Sequence, residues 1–308
     1  MQIFSTITNL TKEYSNIVVA LGTFDGVHLG HQNIIKQAIR LAKSIQGTSV
    51  VFTFSNHPLG VISPKKCPLQ ISDNICKETA MRDLGIDVLM NVPFTKELVT
   101  VTPLEFLQLL QDNLAPKYVV VGPNYTFGYK GEGNPKLLLK RSQDFGFISE
   151  IHPVVHLNNQ IISSTKIRHL LLEGQLDAAN MLMGRPFRLC SKVVHGDERG
   201  RLLGFPTANL AIENHRVMLP NGIYVVHVFF REKTYRGIAN IGTNPTFDGV
   251  KRHIEVHILE FKQDIYDQLI TIEFVQKIRD EEKFSSVDQL VKQIKLDIKQ
   301  ATTIFNLH

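Results

Sequence analysis

Hydrophobic and polar positions change their rhythm once along the chain. In the first half, short β-branched runs alternate with stretches of helical spacing. Ile17–Leu21 (IVVAL) ends at Gly22, as a buried parallel strand does. His31–Ile45 then places Ile34, Ile35, Ala38, Ile39, Ala42 and Ile45 on one helical face. Ser49–Phe54, Asp87–Val92 and Tyr118–Val121 read as further strands. Between the last two, Thr102, Pro103 and Glu105 spell the N-cap, first position and capping box of a helix. Strands alternating with helices predict a parallel α/β sheet wound through right-handed crossovers, with ligands bound at the carboxyl ends of its strands.

Past about residue 184 the texture changes, at the Gly184 and Pro186 of MGRPF. Phe187–Val194, Gly222–Phe230, Tyr235–Ile241, His253–Phe261 and Leu269–Ile278 are β-rich runs separated by turn signals such as LPNG and NPTFDG. Only Ser286–Ile304 has helical periodicity, with Val287, Leu290, Val291, Ile294, Ile298 and Ala301 on one stripe. An antiparallel barrel closed by a C-terminal helix is expected, giving domains 1–183 and 184–308.

Composition adds boundaries. A chain of 308 residues, 43% hydrophobic and 20% charged, is globular and long enough for two domains. Its formal charge of +5 is spread along the chain and suits an anionic ligand as readily as nucleic acid. Three cysteines without a C-x-x-C give neither a disulfide framework nor a zinc ribbon. The first residues lack a signal-peptide pattern, and no apolar run approaches the ~18 residues of a membrane span. A cytoplasmic, soluble protein is the expectation.

The first chemical constellation is GTFDGVHLGH, residues 22–31, between a strand and a helix. His28 and His31 sit at or just before the helix N-terminus, beside unpaired N–H groups and the positive end of the dipole. Gly22, Gly26 and Gly30 let the backbone approach a ligand closely. Such a pair can hydrogen-bond triphosphate oxygens and stabilise charge developing on phosphorus, with no covalent enzyme intermediate. Neither a P-loop nor a G-x-G-x-x-G is present. In ISSTKIR, Ser164 or Thr165 is expected to cap a helix whose first turns carry Lys166 and Arg168. In the glycine-rich GPNYTFGYKGEG, Tyr125, Phe127 and Tyr129 can stack on a flat ring, or equally pack the core beneath a loop.

The second is HGDERGRLLGFPTANL, residues 195–210. On an extended segment Thr207 and Asn209 point to one face, offering the hard oxygens that Mg²⁺ with nucleotide phosphates requires. The loop before them, with Gly196, Gly200 and Arg201, can wrap phosphates with N–H groups and arginine. HIEVH places His253, Glu255 and His257 on one strand face, but spread over roughly 13 Å, too far to converge on one ion. Glu255 fits a general base accepting a proton from a primary hydroxyl.

These motifs resemble those of the bacterial bifunctional riboflavin kinase/FMN adenylyltransferase family, commonly called FAD synthetase. GTFDGVHLGH, TFSNHP (53–58), VGPNYTFGYKGEGN (121–134) and ISSTKIR (162–168) occur in the order of its H-x-G-H nucleotidylyltransferase half. GFPTANL, LPNGIYVV, IGTNPTF and RHIEVHILEF occur in the order of its riboflavin kinase half. Ser55-Asn56 stands where the family often has an acidic-Pro pair, and Asn124 where many relatives have Asp.

The resemblance implies a Rossmann-like parallel domain followed by a six-stranded barrel with a terminal helix. It implies conversion of riboflavin to FMN and of FMN to FAD, with ATP as co-substrate and Mg²⁺ beside Thr207 and Asn209. His28, His31 and Glu255 would be catalytic. Gly22, Phe24, Asp25, Gly30, Ser164, Thr165, Arg168, Gly196, Gly200 and Arg201 would meet ATP or its phosphates. His57, Asn124, Tyr125, Phe127 and Arg279 would meet flavin. Neither nucleic acid nor a membrane is needed as partner. Retention of only one activity, or a non-catalytic flavin-binding regulator, are the alternatives; the second should have lost a catalytic residue, and none is lost.

Overall fold

The β-branched runs of the first half are strands because both their faces are buried. The computed structural model describes all residues except Asn159, Asp197, Glu198, Phe247, Asp248 and His308, and all their side chains except those at 199, 244–246, 249–251 and 307. The chain divides into two compact units, Met1–Lys166 and Ile167–His308.

In the first unit, β1 (Gln2–Phe4), β2 (Val18–Leu21), β3 (Ser49–Phe54), β4 (Val88–Val92), β5 (Tyr118–Val121) and β6 (Ile148–Ile151) form one sheet in the order β1-β4-β3-β2-β5-β6. Every neighbouring pair is parallel. The intervening helices are α1 (Leu29–Ser44), α2 (Pro58–Ile62), α3 (Asn74–Asp83), α4 (Lys96–Thr100), α5 (Pro103–Leu114) and α6 (Pro135–Arg141). Alternate side chains of one strand serve opposite layers. Val18 and Ala20 pack with Ile35, Ala38 and Ala42 of α1 and Met81 of α3. Val19 and Leu21 pack with Phe106, Leu107 and Leu110 of α5 and Leu138 of α6. Each such buried aliphatic side chain contributes about 1.5–3 kcal/mol, so the sheet is fixed by two cores at once.

The strand order reverses at β2, between β3 on one side and β5 on the other. The crevice at the carboxyl ends of β2 and β5 is therefore the place where this architecture binds ligands.

A two-residue hairpin, β7 (His156–Leu157) and β8 (Gln160–Ile161), leads into α7 (Ser164–Leu172) and then α8 (Leu176–Met183). Gly184 ends α8 in the left-handed conformation, φ 66°. The strands that follow are β9 (Arg188–Val194), β10 (Ala208–Leu210), β11 (Gly222–Phe230), β12 (Lys233–Thr246), β13 (Gly249–Ile258) and β14 (Leu269–Arg279), with the single-turn α9 (Arg199–Leu202) between β9 and β10. They close an antiparallel barrel in the order β10-β13-β12-β11-β14-β9. The last helix, α10 (Val287–Leu307), lays Ala301, Ile304 and Phe305 on Ile223, Val225 and Ile238. Among the described residues no helix is long and apolar enough to cross a membrane.

Candidate active sites

The loop after β2 is under backbone strain. Phe24, Gly26 and Val27 have φ of 47°, 81° and 38°; a β-branched residue in this region is a rare outlier of the kind that gathers at functional sites. The loop ends at His28, which caps α1: its Nδ1 accepts the backbone N–H of His31 at 3.2 Å. That bond puts the ring proton on Nε2, making it a hydrogen-bond donor. His31, in the first turn, stacks on His28 with ring centroids 3.6 Å apart, while Phe24 meets His31 edge-on at 5.3 Å. Two imidazoles thus lie together at a helix N-terminus and at the strand-order reversal.

The small residues around them are required by space. A Cβ on Gly30 would lie 3.1 Å from the His28 ring, and one on Gly22 2.9 Å from the ring of Phe24. Asp25 is buried, and its carboxylate accepts the amides of Ile71 at 2.9 Å and Ser72 at 3.1 Å. Its side chain therefore braces the loop; no local pattern could announce partners 46 positions away. Ser164 Oγ donates to the Asp25 carbonyl at 2.9 Å, bringing the start of α7 against the histidine loop. The cap of α7 differs from the expected one. Ser163, not Ser164 or Thr165, accepts the Lys166 amide, and this frees Ser164 for Asp25. Thr165 is exposed at the second position of α7, and Arg168 lies a turn further on.

The candidate flavin residues come from the carboxyl ends of the strands flanking β2. After β3, His57 caps α2 through Nδ1. Asn56 holds Phe94 in both directions, accepting its N–H at 2.7 Å and donating to its carbonyl at 3.0 Å. Thr53 Oγ1 donates to the Thr23 carbonyl at 3.1 Å, tying β3 to the strained loop. After β5, Asn124 is exposed, whereas Tyr125 stacks on Phe127 at 5.7 Å. Phe127 in turn packs on Phe106 in the core, only 6% exposed. The core-packing reading of Phe127 is the one that this placement favours, and Tyr125 is the half-buried aromatic at its edge. Burial holds the Tyr125 phenol well above its ordinary pKa, so it stays protonated.

The barrel assembles the second constellation by register. Thr207 and Asn209 stand on one face beside buried Ala208 and Leu210. On β13, His253, Glu255 and His257 take the face opposite to that of buried Ile254, Val256 and Ile258. Asn209 and Glu255 are direct partners across the β10–β13 ladder, which sets their Cβ atoms ~4.5–5.5 Å apart.

The glycine loop folds onto this face. A Cβ on Gly196 would lie 2.5 Å from Asn209 Cγ, and one on Gly200 3.3 Å from Thr207 Oγ1. A cavity of about 340 Å³ opens beside them, and its lining includes Arg201, Thr207 and Asn209 as well as Ile258, Phe261 and Tyr266. Such polar and apolar walls suit the phosphates and the base of one nucleotide. Asp197 and Glu198 of the same loop, and the Arg199 side chain, lie outside the described residues.

Arg279, expected to meet flavin, is also tied to the last helix. Its Nη2 donates to Asp297 on α10 at 2.7 Å and its Nε to the same carboxylate at 3.0 Å, which raises the guanidinium pKa further. Asp297 is 4% exposed. The guanidinium is engaged in fastening α10 to β14, which a sequence cannot disclose before the helix is docked.

Comparison with known proteins covers both halves of the chain. Residues 10–166 match the family model described as FAD synthetase, and residues 183–305 that described as riboflavin kinase. The bifunctional riboflavin kinase/FMN adenylyltransferase of Buchnera aphidicola subsp. Schizaphis graminum is 34% identical over 313 residues, covering 100% of both chains. That of Escherichia coli K12 is 34% identical over 310 residues, covering 100% of this chain and 99% of its own. A solved structure from Streptococcus pneumoniae, named a macrolide-efflux protein, is similar with a TM-score of 0.84 and 33% identity, covering 98% of this chain and 99% of that one. With both halves matched and full-length relatives above 30% identity, the chain belongs to the bifunctional riboflavin kinase/FMN adenylyltransferase family.

Proposed function

We propose that the two constellations carry out two successive transfers from ATP, one in each half of the chain. The chain phosphorylates riboflavin to FMN and adenylylates FMN to FAD. We place the functional seam at Gly184, with adenylyl transfer in residues 1–183 and phosphoryl transfer in 184–308.

In the first half, the stacked His28–His31 pair is the observation that carries the reading. A phosphate oxygen of FMN attacks the α-phosphorus of ATP, the bond to the β-phosphate oxygen breaks, and pyrophosphate leaves with the electron pair. His28 Nε2–H and the His31 ring donate to the phosphate oxygens as charge develops there. The start of α7, with Ser164, Thr165 and Arg168, adds N–H groups and positive charge for the remaining phosphates. Gly22, Phe24 and Gly30 shape the loop, and Asp25 holds it through Ile71 and Ser72. His57, Asn124 and Tyr125 face the flavin.

In the barrel, Glu255 takes the proton of the ribityl 5′-hydroxyl. The oxygen bonds to the γ-phosphorus while the bond to ADP breaks. Thr207 and Asn209 offer side-chain oxygens on one face, a donor set that fits Mg²⁺. When bound there, Mg²⁺ supplies positive charge to the phosphates. Gly196, Gly200 and Arg201 close over the nucleotide. Cys67, Cys76 and Cys190 are all thiols, which suits the cytoplasm, where we place both steps.

The test incubates the purified chain with riboflavin, Mg²⁺ and ATP and separates the flavins by chromatography. FMN followed by FAD is expected. Neither product appearing would overturn the reading, and FMN supplied but never converted to FAD would remove its first half.

A further inference from the structure

The barrel register continues the catalytic row by one position. Glu255 is the direct partner of Asn209 on β10 and of Asn240 on β12, so Asn209, Glu255 and Asn240 stand side by side on one face. Asn240 is itself paired with Ile223 on β11, so the ladder is regular there. Two residues before it, and on the same face, Ile238 is packed under α10. The Asn240 Oδ1 is buried, and among the described residues no donor reaches it. A buried amide oxygen without a donor is destabilising and rare enough in native proteins to need a reason.

The direction of the transfer supplies one. Thr207, Asn209 and the cavity take the nucleotide on one side of Glu255. In-line displacement brings the attacking hydroxyl to the γ-phosphorus from the side opposite the leaving ADP. The rest of the alcohol then runs away from Asn209, across the next position in the row, which is Asn240. We propose that Asn240 determines specificity for the polyol chain: its Oδ1 accepts a hydrogen bond from an interior hydroxyl of the substrate and so sets the terminal hydroxyl against Glu255. This rests on the reading of Glu255 as the base and of riboflavin as the alcohol. No bond is made or broken at Asn240. The terminal proton passes to Glu255, the P–O bond forms, and ADP departs with its electron pair.

The test uses the full chain with Asn240→Leu, similar in size but without an acceptor, and Asn240→Ser, smaller and still polar. The substrates are riboflavin and analogues in which one interior ribityl hydroxyl is replaced by hydrogen. Loss of one such hydrogen bond, with a buried group left unpaired, is expected to lower kcat/KM for riboflavin on the order of 10-fold in Asn240→Leu. KM for ATP and adenylylation of supplied FMN should stay at wild-type values. For the analogue lacking the partner hydroxyl, the wild-type chain should lose the same factor and Asn240→Leu nothing more. If Asn240→Leu fails to fold, Asn240→Ser is judged by the same comparison across analogues. Riboflavin kcat/KM within about twofold of wild type, or an equal loss on every analogue, would overturn the proposal. Riboflavin left unphosphorylated by the wild-type chain, or Glu255→Gln retaining full kinase activity, would overturn the underlying reading and the proposal with it.

Discussion

Gly196→Ala tests the phosphoryl-transfer site through one methyl group. The new Cβ would lie 2.5 Å from Asn209 Cγ and 2.8 Å from its Oδ1, against a normal separation of ~3.5–4.0 Å. Something must therefore move by roughly 1 Å. The Asn209 backbone is held between Glu255 on β13 and Val194 on β9, so its amide must leave its rotamer, at about 0.5–1.5 kcal/mol, or the loop must lift. Either displaces a group proposed to orient the phosphates, and a misplacement of this size lowers rate on the order of 10²-fold, about 2.7 kcal/mol in barrier. In the full-length chain FMN formation should fall by that factor, while conversion of supplied FMN to FAD stays unchanged. On an Asn209→Ala background the alanine should add little. FMN formation within about twofold of wild type, or an equal fall in both reactions, would refute the geometric argument.

Arg279→Ala leaves the buried Asp297 carboxylate without its guanidinium and should cost about 3–5 kcal/mol, read by thermal or urea unfolding of the barrel; unchanged unfolding with a raised riboflavin KM would instead mark Arg279 as a flavin ligand first. The capping box of α5 should be pH-dependent. Thr102 donates to Glu105 from its backbone and then its hydroxyl, at 2.7 and 2.8 Å, holding the carboxyl below its usual pKa. A lowered folded-state pKa stabilises above the unfolded value and is lost as pH falls through the folded one. The stability difference between wild type and Glu105→Ala should therefore be full near pH 7 and shrink as pH falls through and below the ordinary carboxylate range, with a constant difference refuting it.

Much of this was legible in the sequence because the signals are local. Ser49–Phe54, Tyr118–Val121 and Gly222–Phe230 begin and end where their apolar runs do. The helix after the H-x-G-H loop starts two residues earlier than periodicity indicates, at Leu29, because His28 caps it. The edge strands β1 and β6 carry no such signal: one has three residues, and Ile148–Ile151 lacks a fully buried position. The site divides in the same way. Thr207 and Asn209 can be paired from spacing alone, and their apposition to Glu255 follows only from register. Asp25 with Ile71, Arg279 with Asp297 and Phe127 with Phe106 are long-range choices among chemically acceptable partners, and no local pattern discriminates between them.

If two separate constellations perform the two transfers, damage to either should spare the product of the other. Both flavin products should be followed by chromatography in full-length His28→Ala/His31→Ala and in Glu255→Gln. The double histidine variant should form FMN at the wild-type rate and lose FAD formation by at least ~10²-fold. Glu255→Gln should lose FMN formation by ~10²–10⁴-fold and still convert supplied FMN to FAD. Loss of both reactions in both variants, with each variant folded, would contradict the account.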